Sequence, residues 1–191
     1  MKREILYCGH PTLRKKARRV RQITPDLIQL LTDMVETMIE APGVGLAAPQ
    51  VGESVCAIVV REDVSDDSEI HCLLNPRIVD ASAEQEESVE GCLSFPTLQG
   101  IVVRPSGVVV EGMGLDGQVK RVTGEGLFAR AMQHEIDHLD GVLFVDRVEK
   151  DSLGWMVPDE NEENGYRIEP TTLEEVIGRF ERLRREMIKG S

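Results

Sequence analysis

The chain has no apolar run near the ~20 residues that a membrane-spanning helix needs. It also lacks a charged start leading into an apolar stretch and a small-residue cleavage site. Secretion is therefore not expected, and a cytoplasmic location is. Its four cysteines, at 8, 56, 72 and 92, show no short paired spacing. Without an export signal, that argues against a disulfide framework. Internal repeats are missing. So is a positive balance: the net charge is −12 over 191 residues, which argues against general nucleic-acid binding. The positive charge is concentrated, since residues 1–22 hold eight Lys or Arg against one Glu, leaving −19 on the rest. A hydrophobic content of 41% supports a core for one domain, or one domain plus an appendage.

The first regular element is legible at Thr24-Pro25, an N-cap followed by proline at the first helical position. Leu27, Leu30, Leu31, Met34, Val35, Met38 and Ile39 follow at helical spacing, and Ala41-Pro42-Gly43 ends the run. Residues 43–50 are small or apolar up to Gln50. They read as a tight turn, or as a place where another group approaches the backbone. Strands are expected at 55–60, 72–75 and 77–79, the last two broken by Pro76, and at 101–104, 108–113 and 118–123. Leu115-Asp116-Gly117 is a hairpin turn signal. Residues 61–69 and 83–90 read as acidic loops, and Cys56 and Cys72 as buried small hydrophobes.

After residue 150 the composition changes. Residues 151–170 read as an acidic linker, anchored by Trp155. Thr172 and Glu175 fit a capping box opening a last helix. Its apolar stripe is Leu173, Val176, Ile177, Phe180, Leu183, Met187 and Ile188. Arg179, Arg182, Arg184, Arg185 and Lys189 crowd its end. They either complement the helix dipole on a solvated face or dock to an anionic partner such as ribosomal RNA.

The chemistry is concentrated in Gln133-His134-Glu135-Ile136-Asp137-His138, on a helix expected to run from near Glu125 to a cap at Gly141. Positions i and i+4 share a helix face, so His134 and His138 can aim two imidazoles at one metal. Glu135, about 100° further round, can reach a metal-bound water as a general base. No histidine follows His138 to serve as the third ligand of many metalloproteases. The better candidate is Cys92, in Glu90-Gly91-Cys92-Leu93-Ser94, where a thiolate plus two imidazoles leaves an open position for water. Glu90 and Asp137 are expected to hydrogen-bond a ligating histidine or pair with Arg104, or else to form an ordinary ion pair.

Three stretches together, Gly43-Val44-Gly45-Leu46-Ala47-Ala48-Pro49-Gln50, Glu90-Gly91-Cys92-Leu93-Ser94 and Gln133-His134-Glu135-Ile136-Asp137-His138, resemble the peptide deformylases. The similarity spans roughly residues 4–150. It implies a catalytic domain over 1–150, with 151–191 an acidic linker and amphipathic helix. It implies a hydrolase that removes the formyl group from N-terminal formyl-methionine of newly made polypeptides, releasing formate. Cys92, His134 and His138 would hold the metal. Fe(II) is favoured, with Zn, Ni or Co able to occupy such a site. Glu135 would move the proton. The Leu93 N–H and the Gln50 side-chain amide would stabilise the charge growing on the formyl oxygen. Leu127 and Ala131 share the helix face of His134 and are assigned to the methionine pocket. Val44 is placed as the opposite wall, and Gly45 as a backbone partner for an extended peptide. Gln99 departs from the resemblance, standing where an Arg is often found.

The expected fold is α+β: short, mostly antiparallel strands packed round the central metal-binding helix, with a C-terminal helix. Two other readings share parts of the pattern. A zinc endopeptidase would use the same helix but leaves Cys92 and Gln50 unexplained. A metal-stabilised structural protein leaves Glu135 and the open coordination position unused.

Overall fold

A computed structural model of the chain describes residues 1–65 and 67–189, with side chains described up to Leu183 in the last helix. The first helix, α1 (Pro25–Glu40), starts where Thr24 caps it, its side chain accepting from the Leu27 N–H. One face of α1 buries Leu31, Met34 and Met38 completely.

Two antiparallel sheets follow. The first contains β1 (Gly45–Ala47), β2 (Ala57–Arg61), β3 (Ile70–Ala81), β6 (Gly107–Met113) and β7 (Val119–Glu125), adjacent in that order. The second contains β4 (Gln85–Cys92), β5 (Phe95–Pro105), β8 (Gly154–Pro158) and β9 (Tyr166–Pro170), also in order. Between β7 and β8 the chain forms α2 (Gly126–Leu139), and it ends in α3 (Leu173–Lys189). The result is the α+β arrangement expected. Phe128, Ala129 and Met132 of α2 pack with Ala47, Ile58, Val60, Leu73, Val108 and Val110 of the first sheet. None of the described helices is long and apolar enough to cross a membrane.

Three strand expectations need correction. Pro76 does not divide β3. The ladder to β6 shifts register between Leu74 and Arg77, and a bulge tolerates a residue with no N–H to donate. Asn75, at φ 50°, takes the left-handed turn there and ties its side chain to both backbone groups of Val20. Residues 83–90 are not a loop, because β4 pairs with β5 from Gln85 opposite Pro105 to Cys92 opposite Phe95. Glu86 and Glu87 face solvent along a sheet edge, where charge discourages further pairing, while Glu90 turns inward and is buried. Finally, 151–170 is not a linker. It forms the hairpin β8–β9, with Trp155 opposite Glu169 and Pro158 opposite Tyr166. Every residue of β9 is exposed, and its alternation of Tyr166 and Ile168 with Arg167 and Glu169 is too short to stand out beside the charged turn before it.

Thr172 and Glu175 form the expected capping box of α3, each side chain accepting from the other's backbone N–H. Among the described side chains of its stripe, Val176 and Phe180 are buried, while Leu173, Ile177 and Leu183 remain exposed. Arg184, Arg185, Met187, Ile188 and Lys189 lie outside the described side chains.

Candidate metal centre and substrate cavity

The Cys92 sulfur comes from the end of the β4–β5 hairpin. The register shifts between Gly91 and Cys92, and Leu93-Ser94 make the two-residue turn back to Phe95. A bulge of this kind re-aims a side chain relative to its strand. Here it coincides with the presentation of the thiol to α2. The two histidines come from α2 one turn apart, their rings 5.0 Å between centroids. One donor atom from each of Cys92, His134 and His138 lies within 4.8 Å of the others. Cys92 Sγ is 3.3 Å from His138 Nε2.

Both histidines are buried. Burial and the charge of His134 hold His138 well below its ordinary pKa, in the neutral form that ligates metals. Burial would lower His134 too. Its hydrogen bonds with Cys92 and Glu90 win and hold it well above its ordinary value. That proton is one a metal cation would displace. The trio fits a divalent transition metal in donor type and spacing.

His134 is oriented from behind. Its Nδ1 lies 3.0 Å from Glu90 Oε2. Glu90 accepts two hydrogen bonds from Arg104, at 2.5 and 2.9 Å, and one from Arg130 at 2.8 Å. Burial works to raise Glu90, but the hydrogen bonds and charges of His134 and Arg104 hold it far below the usual carboxylate range. Arg104 also donates to Asp137 at 2.8 Å, and Arg147 grips the same carboxylate with two bonds of 2.6 Å. Glu90 thus fills both expected roles at once, and Asp137 fills the ion-pair role.

Glu135 is 4% exposed, and its Oε2 has no hydrogen-bond partner among the described residues. Burial raises its pKa to about 7. A buried carboxylate without partners is expensive unless something enters beside it, so it marks a place for a polar reactant. Gln50 is held at both ends. Its Oε1 accepts from the Ala47 N–H at 2.8 Å, and its Nε2 lies 3.3 Å from Ser94 Oγ and 3.5 Å from Cys92 Sγ. A short 3-10 helix, Ala48–Val51, directly after β1 sets this geometry. Leu93 opens the hairpin turn, a position whose N–H has no ladder bond to make.

These groups share one cavity of about 400 Å³. It includes Cys92, His134, Glu135, Gln50, Leu93, Val44, Gly45, Leu127 and Ala131. All the site residues expected from the sequence therefore meet there or, for His138, immediately behind it. Gly45 also leaves room for Glu135. A Cβ built on it would stand 2.5 Å from Glu135 Oε1.

Three contributors escaped the sequence reading. Ser94 was seen only as part of a motif, although its hydroxyl faces Gln50. Arg130 carried a usable signal: it lies one helical turn before His134, on the same face. Met156 lines the cavity from the presumed linker, and nothing local announces it.

A Cys-His-His donor set beside a buried carboxylate, with Gln50 and Leu93 in the same cavity, suits a metal-dependent hydrolase acting on amide-like bonds. The polypeptide deformylase family model matches residues 2–153. A peptide deformylase of Natranaerobius thermophilus is 53% identical over 140 residues, covering 73% of this chain and 88% of that protein. One from Thermomicrobium roseum is 44% identical over 166 residues, covering 84% of this chain and 94% of that protein. The crystal structure of a peptide deformylase from Legionella pneumophila superposes with a TM-score of 0.74 at 43% identity, covering 78% of this chain and 88% of that one. The chain belongs to the peptide deformylase family, metal-dependent hydrolases that remove the N-formyl group from nascent polypeptides.

Proposed function

We propose that Cys92, His134 and His138 hold one divalent metal, Fe(II), and that the cavity beside them takes the formyl-methionine end of a nascent peptide. The observation that carries this is the partnerless buried oxygen of Glu135, in the same cavity as the Cys-His-His trio. A metal bound there supplies Lewis acidity and an acidified water. Glu135 takes a proton as the water oxygen bonds to the formyl carbon, and returns it to the nitrogen as the carbon–nitrogen bond breaks. Formate and a free amino terminus result. The Gln50 amide and the Leu93 N–H donate to the formyl oxygen as negative charge grows on it; one such donor is typically worth about 2.7–4 kcal/mol of barrier. Ala47 and Ser94 fix the Gln50 side chain, so this donor needs no reorganisation.

The methionine side chain enters between Leu127, Ala131 and Val44. Leu127 is 51% exposed without a ligand, which suits a pocket wall that a side chain then covers. Zn, Ni or Co can replace iron in this donor set, and iron brings oxygen sensitivity. Formate release from a formyl-methionyl peptide, measured on anaerobically purified protein together with its metal content, tests both parts. Cleavage of internal peptide bonds, or full activity with zinc alone and none with iron, would overturn the corresponding part.

We further propose residues 1–150 as the catalytic unit and a cytoplasmic site of action. A ribosome contact through the basic end of α3 would have to be made without Arg179, which stacks on Trp155. Unchanged ribosome cosedimentation after deletion of residues 171–191 would count against that contact.

A further inference from the structure

The cavity has a wall that the family-matched residues do not supply. The match ends at residue 153, yet Met156 lines the cavity beside Thr97 and Leu98. Met156 belongs to β8, whose register sets Gly154 opposite Gln99 and Trp155 opposite Leu98. On its other side β9 places Ile168 opposite it. The strand is also held through its neighbour. The Arg179 guanidinium carbon lies 4.3 Å from the centre of the Trp155 ring, and the Phe180 ring lies 6.3 Å from it. Phe180 continues to Phe95, edge-on at 5.4 Å, and Phe95 is itself a cavity residue. Thus β8, β9 and α3 together fix one face of the substrate site.

We propose that Met156 is a specificity-determining residue, contacting the side chain that follows the formyl-methionine and favouring an apolar one. This rests on the reading of the cavity given above. If Glu135 and Gln50 hold the formyl group, and Leu127, Ala131 and Val44 hold the methionine, the next residue leaves along the remaining lining. Glu90 and Arg130 on that lining are paired with each other, Pro42, Gly43, Val89 and Gly91 form one rim, and the start of β5 with Met156 forms the other, which offers the larger side chains. Pro96, Thr97, Leu98 and Met156 carry no charge to pair with an acidic or basic side chain. An unbranched thioether adapts to apolar shapes of different size.

The test uses the full-length, Fe(II)-loaded enzyme and formyl-Met-Xaa amides with Leu, Phe, Ala, Glu or Lys at Xaa, each normalised to formyl-methioninamide. Wild type should prefer Leu and Phe over Glu and Lys. Met156→Ala should lower the Leu-over-Ala ratio of kcat/KM by about tenfold, and Met156→Leu should restore it. The change should appear in KM, because the contact is the same before and during reaction. Met156→Glu should turn the preference towards Lys. Circular dichroism and thermal melting check that each variant is folded. An Xaa profile unchanged in both Met156→Ala and Met156→Glu, with formyl-methionine still preferred over formyl-alanine, overturns the inference and leaves the cavity reading standing. No preference for formyl-methionine in wild type overturns that reading and the inference with it.

Discussion

Gly45 and Glu135 touch so closely that a methyl group on Gly45 would stand 2.5 Å from Oε1 and 2.7 Å from Cγ of the glutamate. The edge strand of one sheet therefore sets where the buried carboxylate lies. Gly45→Ala should push that side chain aside without unfolding the chain, since the clash is with side-chain atoms and not with backbone. Misplacing a reacting group by about 1 Å can cost 10²-fold. We expect kcat to fall by roughly that factor while metal content stays intact, as read by steady-state kinetics and elemental analysis.

Glu135→Gln should bind metal normally and lose about 10²–10⁴-fold in turnover. Full activity in this variant would remove Glu135 from the mechanism. The base works as the carboxylate, so activity should rise with pH through its pKa. Burial puts that value at about 7, and the charge of a bound cation lowers it. The acid limb of kcat/KM therefore lies at or below pH 7, falling about tenfold per unit beneath it. A limb well above 7 contradicts the assignment.

Cys92→Ser should abolish stoichiometric metal retention, because a hydroxyl does not ionise as a thiol does. Elemental analysis after dialysis reads this directly. The two imidazoles left behind make an incomplete set, so activity should follow metal content downward.

Glu90→Gln tests the support behind His134. Partners of this kind typically contribute 10–100-fold to metal affinity, and competition with a chelator measures that loss. The stability effect has a defined sign. The folded pKa of Glu90 is depressed, so its contribution is fully present above the unfolded carboxylate value of about 4.3 and is lost as pH falls through the folded value. Urea midpoints should drop for wild type from about pH 5 downward and drop less for Glu90→Gln. At neutral pH the variant should be less stable by about 3–5 kcal/mol, since Arg104 and Arg130 lose a buried counter-charge.

The parts of the site that were legible in the sequence are those set by local geometry. His134, Glu135 and His138 follow from helical spacing, and Leu127 and Ala131 from the same period. Cys92 was marked by its small neighbours. Arg130 was lost because an arginine on a helix usually faces solvent, and only the fold brings Glu90 against it. Met156 was lost because the charge-rich turn at 159–163 and the exposed β9 make the whole hairpin look like a linker. The β4 strand was hidden by the acidic run that includes the solvent-facing Glu86 and Glu87, and β3 by a proline that its bulge accommodates.

Within its 14 residues, α2 carries the proposed ligands, base and pocket wall together with the ion-pair partners Arg130 and Asp137. For an evolving lineage, that density makes the helix a poor place to experiment, because almost any exchange on its inner face alters chemistry and recognition in one stroke. The hairpin that brings Met156 to the cavity has the opposite character. It touches the substrate site at one point, and its other strand is wholly exposed. New preferences among nascent chains can arise there while the reaction itself is left alone.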